Sequence, residues 1–450
     1  MRITRQISNS RMEDTSPPAI SASQITNSIL LALVSPVFLL WNAYKSTNPS
    51  FQHFLIIIFF TLFGATMLLG HGDAFRHHMR VELVGAQMSF TEFMSDLYLI
   101  LTFQLTQYGA KDVYNHVLHY FFGSILGMPQ LYFPFVGMVY GFFYGASVIH
   151  VLRNLRLSHA NYILLGLVFV FLFIKGPEGI QTVRTWTGLW VLVYATLKYH
   201  EERKLRYLFL MFLPPFIHHA YFFMAIPVWL VVVFGSRPLV YSCILLASTF
   251  TTILPTEQVS HQIGQTERGA SAVANYTREA SESSAFEEFL GQTGRTNWYN
   301  AYRRAGLQRW APTLMALALI ASGIYFRVMT LYQKRIFSSG ILMLAFSNST
   351  WFLFAVHNRT LTIAMVFILA AFLMTRFHPR TSRRFTGLPP YYQWGMNLSL
   401  LLYAPLILFI LSLTLDRLSV FMLGMPFIVW IDPEMNISLK VALNTLLGRG

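Results

Sequence analysis

Four short stretches of this chain carry the residue types that could do chemistry. Arg184 opens an apolar run as Val183-Arg184-Thr185-Trp186, shortly after Gly176-Pro177-Glu178-Gly179. His218 and His219 lie in Pro214-Pro215-Phe216-Ile217-His218-His219-Ala220-Tyr221, at the expected tip of a helical pair. His357 and Arg359 fall between two apolar runs, in Val356-His357-Asn358-Arg359. Asp73 and Arg76, with His71, His77 and His78 close by, follow an earlier run. Arginine at several helix ends is what a diphosphate ligand requires. The guanidinium stays charged, and its planar fork pairs two phosphate oxygens at once. A histidine titrating near neutrality can accept a proton from an attacking hydroxyl.

The same residues have plainer uses. An arginine at a helix end also serves as an anchor that reaches for the headgroups. His218 and His219 fit a hydrogen-bonded structural pair as well as a catalytic one. His71, His77 and His78 have no zinc-site spacing, and neither HExxH nor CxxC occurs, so no metal is expected. Asn348 and Ser349, in Phe346-Ser347-Asn348-Ser349, are of the type that bonds across helices. No P-loop, GxSxG or dinucleotide fingerprint is present, which argues against an ATPase or a serine hydrolase. The single Cys243 excludes an intrachain disulfide.

The elements that must position these residues are apolar. Of 450 residues, 54% are hydrophobic and only 12% charged, about half the charge of a typical soluble domain. A helix crosses a bilayer with roughly 20 apolar residues, and such runs recur as Ile25–Tyr44, Phe51–Leu69, Leu131–Val151, Ala160–Lys175 and Arg359–Phe377. Forty Phe, 22 Tyr and 9 Trp suit packing in lipid and at its interfaces. The expected fold is an all-α polytopic bundle of about 10–12 membrane helices. Residues 1–24 form a tail, 25–415 the membrane domain and 416–450 an amphipathic tail.

The net charge of +14 comes from basic clusters between apolar runs, which is the positive-inside pattern and not a nucleic-acid stripe. The clusters are Arg153/Arg156, Lys198/Arg203/Lys204/Arg206, Arg327/Lys334/Arg335 and Arg376/Arg380/Arg383/Arg384, with a weaker one at Arg237. Placing them in the cytoplasm puts residues around 71–92, 176–182, 213–220, 256–308, 356–359 and everything after Asp416 on the far side. Residues 92–128 read either as two crossings or as re-entrant segments. Parity sets the N-terminus outside although Arg2, Arg5 and Arg11 favour inside, a conflict that a start at Met12 would remove. No cleavable signal peptide is expected. The long polar connection 256–309 reads as a solvated, partly helical loop or as a lid over an external site.

On these residues the chain resembles the EpsG-like (Wzy-type) exopolysaccharide polymerase family. The clearest stretch has an arginine starting a span (Gly179-Ile180-Gln181-Thr182-Val183-Arg184), a basic elbow (Lys198–Arg206) and Ile217-His218-His219-Ala220. Gly70-His71-Gly72-Asp73-Ala74-Phe75-Arg76 after the second span and Ser347-Asn348-Ser349 before Arg359 also agree. The chain departs from the pattern at Thr185, where the family usually has Gln, and at Arg76-His77, where a Tyr is common. The resemblance implies glycosyl transfer between polyprenyl-diphosphate-linked oligosaccharides at the outer face of the cytoplasmic membrane, with no cofactor. It implies that Arg184 and Arg359, with Arg76, bind the diphosphate. His218 or His219, with Asp73, would serve the chemistry, and Trp298, Tyr299 and Tyr302 would stack on sugars. Its partners would be membrane lipid and the flippase and chain-length regulator of the same pathway. A glycan ligase, an integral-membrane O-acyltransferase and a transporter are the competing classes. The last should show two similar halves, and no convincing repeat is found.

Overall fold

A computed structural model of the chain describes residues 20–69, 73–104, 109–153, 161–250, 307–351, 353–378 and 388–448, with the isolated positions 106, 261–262, 265, 381 and 385. The chain runs through α1 (Ala22–Val34), α2 (Val37–Lys45), α3 (Pro49–Thr66), α4 (Asp73–Leu83), α5 (Phe90–Leu101), α6 (Val113–Tyr120), α7 (Tyr132–Leu152), α8 (Tyr162–Phe173) and α9 (Arg184–Glu202). Four short segments follow: α10 (Leu205–Met211), α11 (Pro214–Ile217), α12 (Tyr221–Met224) and α13 (Ile226–Phe234). The remainder is α14 (Pro238–Phe250), α15 (Trp310–Ala321), α16 (Leu331–Ser349), α17 (Phe354–Phe377), α18 (Pro390–Arg417), α19 (Ile428–Ile431) and α20 (Leu439–Leu446). Among the described residues there is no strand; Ser419 and Ser438 form an isolated bridge.

This is an all-α polytopic membrane bundle. Five helical stretches are long and apolar enough to cross a bilayer: Pro49–Thr66, Pro129–Leu152, Tyr162–Thr182, Ala355–Phe377 and Pro390–Arg417. Three sequence readings change in detail. The run Ile25–Tyr44 is divided at Ser35-Pro36, because proline lacks the N–H that a continuous helix needs. Arg359 does not open its helix but sits more than a turn inside α17, which begins at Phe354. In the region 92–128, α5 has 12 residues and α6 has 8. At 1.5 Å per residue neither reaches the roughly 30 Å of a hydrocarbon core.

Glycine spacing explains the tightest pairing. Gly137, Gly141 and Gly145 recur every four residues along α7 and face α3. A methyl at Gly137 would strike the Phe60 carbonyl, and one at Gly141 would lie 2.7 Å from the Phe60 Cβ. Small residues on one stripe let backbones approach where lipid offers no hydrophobic drive for association. At the centre, α9 and α16 are buried along most of their length. Trp190 Nε1 donates to Tyr140 Oη at 2.9 Å, and Tyr140 Oη donates to the Lys175 carbonyl at 2.8 Å. These bonds tie α7 and α9 to the segment that follows α8.

The bundle has two unlike ends. At one, Glu201 and Glu202 collect Arg153, Lys198, Lys204 and Arg206 in partly exposed ion pairs. His150 meets Tyr332 there at 2.7 Å, and Gln333 bonds to the Met374 carbonyl at 3.1 Å. Arg359 lies seventeen residues before Arg376 on α17, and Arg184 seventeen before Glu201 on α9. Both therefore sit about 25 Å along their helices from that basic end.

Candidate functional site

The site is organised by a residue that sequence reading passed over. Asp112 stands at the N-cap of α6, yet its side chain makes no capping bond. The carboxylate turns instead into the bundle, with no exposure to solvent. Its Oδ1 accepts the backbone N–H of His219 at 2.7 Å, His219 Nδ1 at 3.0 Å and His218 Nδ1 at 3.2 Å. Its Oδ2 pairs with Arg184 Nη1. On the far side of the His218 ring, Arg359 Nη1 donates to Nε2 at 3.2 Å. The structure thus brings together Arg184, Asp112, His218, His219 and Arg359 from four separate stretches of chain.

Local backbone features hold each member. Pro214 and Pro215 start α11, and His218 terminates it in an extended conformation, so both histidines sit in a break between short helices. Tyr221 Oη bonds to the Thr185 carbonyl at 2.7 Å and ties this break to the first turn of α9. The approach requires Gly188, where a Cβ would come 2.6 Å from the Tyr221 ring. Val183, immediately before Arg184, has φ 42° and ψ −61° and is fully buried. A β-branched residue rarely adopts positive φ, and such strain persists only where surrounding structure enforces it. It aims Arg184 at Asp112.

His357 does something else. Its Nδ1 lies 3.1 Å from Ser347 Oγ, and Ser347 Oγ donates back to the His357 carbonyl at 2.9 Å. The pair fastens the end of α16 to the start of α17. Asn348 bonds across to Ser248 on α14 at 3.4 Å, whereas Ser349 bonds within its own helix.

Charge states follow from this geometry. Burial pushes the Asp112 carboxyl up, but the bonds from His218 and His219 and the Arg184 charge outweigh it and hold it well below the carboxylate range. Burial drives the His218 imidazole down to about 3; Asp112 opposes this, while Arg359 and Arg184 add to it. A neutral ring that donates from Nδ1 to the carboxylate must carry its lone pair on Nε2. That atom faces Arg359, so Asp112 sets the tautomer and orientation of the ring, while burial holds its basicity well below the near-neutral value expected of a catalytic histidine.

No family model, curated protein or solved structure matches this chain. The site must therefore be read from its own chemistry. Asp112, His218 and His219 have one ligand atom each within 4.8 Å of one another, a spacing that suits a metal ion. Two adjacent guanidinium groups oppose a dication there, because one occupies Oδ2 and the other faces Nε2.

Asp73 and Arg76 pair with each other near the surface, with 40% and 71% side-chain exposure, and not with His218 or Asp112. Next to them the sequence reading also missed Arg80. Burial, then the charges of Arg184 and Arg76, lower its pKa, which marks three guanidinium groups within electrostatic reach. His77 bonds to Asn115 on α6 at 3.3 Å, and burial followed by the Arg184 charge drives it to about 3. Trp298, Tyr299 and Tyr302 lie outside the described residues, as does most of the 256–309 connection.

Proposed function

We propose that the chain is a membrane glycosyltransferase that joins polyprenyl-diphosphate-linked oligosaccharide units and releases polyprenyl diphosphate. The observation that carries this reading is the order Arg184–Asp112–His218–Arg359. It combines a tautomer-fixed base with two guanidinium groups at the end of the bundle opposite the basic ion pairs. The positive-inside rule assigns that basic end to the cytoplasm and the site to the outer leaflet of the cytoplasmic membrane.

In the reaction, an acceptor sugar hydroxyl attacks the anomeric carbon of the donor as the bond from that carbon to the diphosphate oxygen breaks. As Arg359 leaves and the negative charge of the diphosphate arrives, the depressed basicity of His218 rises; its Nε2 then takes the hydroxyl proton, and the Asp112 carboxylate stabilises the imidazolium that forms. Arg359 moves from Nε2 onto the diphosphate, which uncovers the base as the leaving group docks. Arg184 supplies a second guanidinium, and the two groups together meet the negative charge that collects on the departing diphosphate. Neither nucleotide nor metal is required by this scheme, since the diphosphate is already a good leaving group.

The test is the lipid-linked glycan pool of cells that carry Arg184→Ala or Arg359→Ala. Single repeat units should accumulate while chain extension stops. Arg→Lys should rescue poorly, because a point charge replaces a two-pronged fork. Normal polymer length in both variants would remove the arginines from the site. Loss of an O-acyl group in place of stalled repeats would identify an acyltransferase, which needs the same base but not the arginine pair.

A further inference from the structure

At the basic end, about 25 Å from Arg359 along α17, a cleft of about 100 Å³ opens between α8, the last turns of α17 and the first turns of α18. Its floor is apolar, from Ile163, Phe372 and Met396, and its rim carries Arg376 and the amides Asn161 and Gln393. Among the described residues no acidic side chain lines it. The Arg376 guanidinium lies 5.4 Å from the Phe385 ring centroid, which holds the charge at the rim.

Aromatic side chains mark the depth of this cleft. Tyr162 at the start of α8 is 72% exposed, and Trp394 in the first turns of α18 is 75% exposed. Such residues collect where hydrocarbon gives way to headgroups. Three of the five long apolar stretches form the walls. A cation over an apolar floor, at headgroup level between membrane helices, matches a lipid that is negatively charged at one end and hydrocarbon at the other.

We propose that this cleft binds an anionic phospholipid, with Arg376 on the phosphodiester, Asn161 and Gln393 on the glycerol or headgroup oxygens, and the first acyl carbons over Ile163 and Met396. The site is independent of the glycosyl-transfer reading.

The test is native mass spectrometry of the purified full chain in delipidating detergent, titrated with dioleoylphosphatidylglycerol, dioleoylphosphatidylcholine or inorganic phosphate. Phosphatidylglycerol should give the dominant adduct. Arg376→Gln should weaken it at least about fivefold, and Arg376→Lys should fall between the two. Equal retention of phosphatidylcholine would overturn the proposal, as would unchanged phosphatidylglycerol affinity in the glutamine variant. Displacement of the lipid by an equal concentration of phosphate would show a soluble-anion site and overturn it too. Should Arg376→Gln not fold, Arg376→Lys decides: wild-type affinity there contradicts a forked phosphodiester contact.

Discussion

The two ends of this bundle handle charge in opposite ways. At the basic end, Glu201 and Glu202 are partly exposed and share several cations, so each pair is solvated and replaceable. At the other end a single carboxylate with no exposure binds two imidazoles, a backbone N–H and a guanidinium. Exposed pairs contribute about 0–1 kcal/mol. Buried ions cost several kcal/mol each to desolvate, and apolar replacements are often as stable. A bundle that needed only anchoring would use the first arrangement throughout. The second is where perturbed, function-bearing groups are expected.

The sharpest way to break that comparison is to remove one carboxylate at each end. Asp112→Ala should destabilise the chain by about 3–5 kcal/mol, because it strands Arg184 without its counter-charge. Glu201→Gln should cost less than about 1 kcal/mol. Thermal unfolding in lipid nanodiscs reads both, and equal losses would erase the distinction between the ends.

His218→Gln should lower the chain-extension rate by about 10²–10⁴ with little change in stability. His219→Gln should do less, since the His219 ring is 47% exposed while its backbone N–H keeps its bond to Asp112. Rate measurements on the two variants separate the roles, and a larger loss at 219 would reverse the assignment.

A smaller effect appears in the pH dependence. His77 and His218 titrate near 3 in the folded chain and near 6.5 when unfolded. Between those values the unfolded chain binds more protons, so stability is full above pH 6.5 and falls as pH drops toward 3. His77→Gln should flatten this slope. A melting temperature unchanged from pH 7 to 5 would contradict it.

The membrane fold was legible because apolar runs and basic clusters are local signals. Arg184, His218 and Arg359 were legible for a related reason: a charge beside a long apolar run stands out. Asp112 did not, since an aspartate before a short helix reads as an ordinary N-cap. Only the tertiary packing of α6 against α11 turns it inward. The break at Pro36 is written in the sequence, because a proline inside an apolar run interrupts the helix. The strain at Val183 was not written there at all, because neighbours impose it.

The most direct measurement is isothermal titration of inorganic pyrophosphate into the full chain in nanodiscs at neutral pH. The wild type should bind, Arg184→Ala and Arg359→Ala should each weaken binding at least about tenfold, and Glu201→Gln should leave it unchanged. Equal affinity in the arginine variants, or no binding to the wild type, would contradict the account.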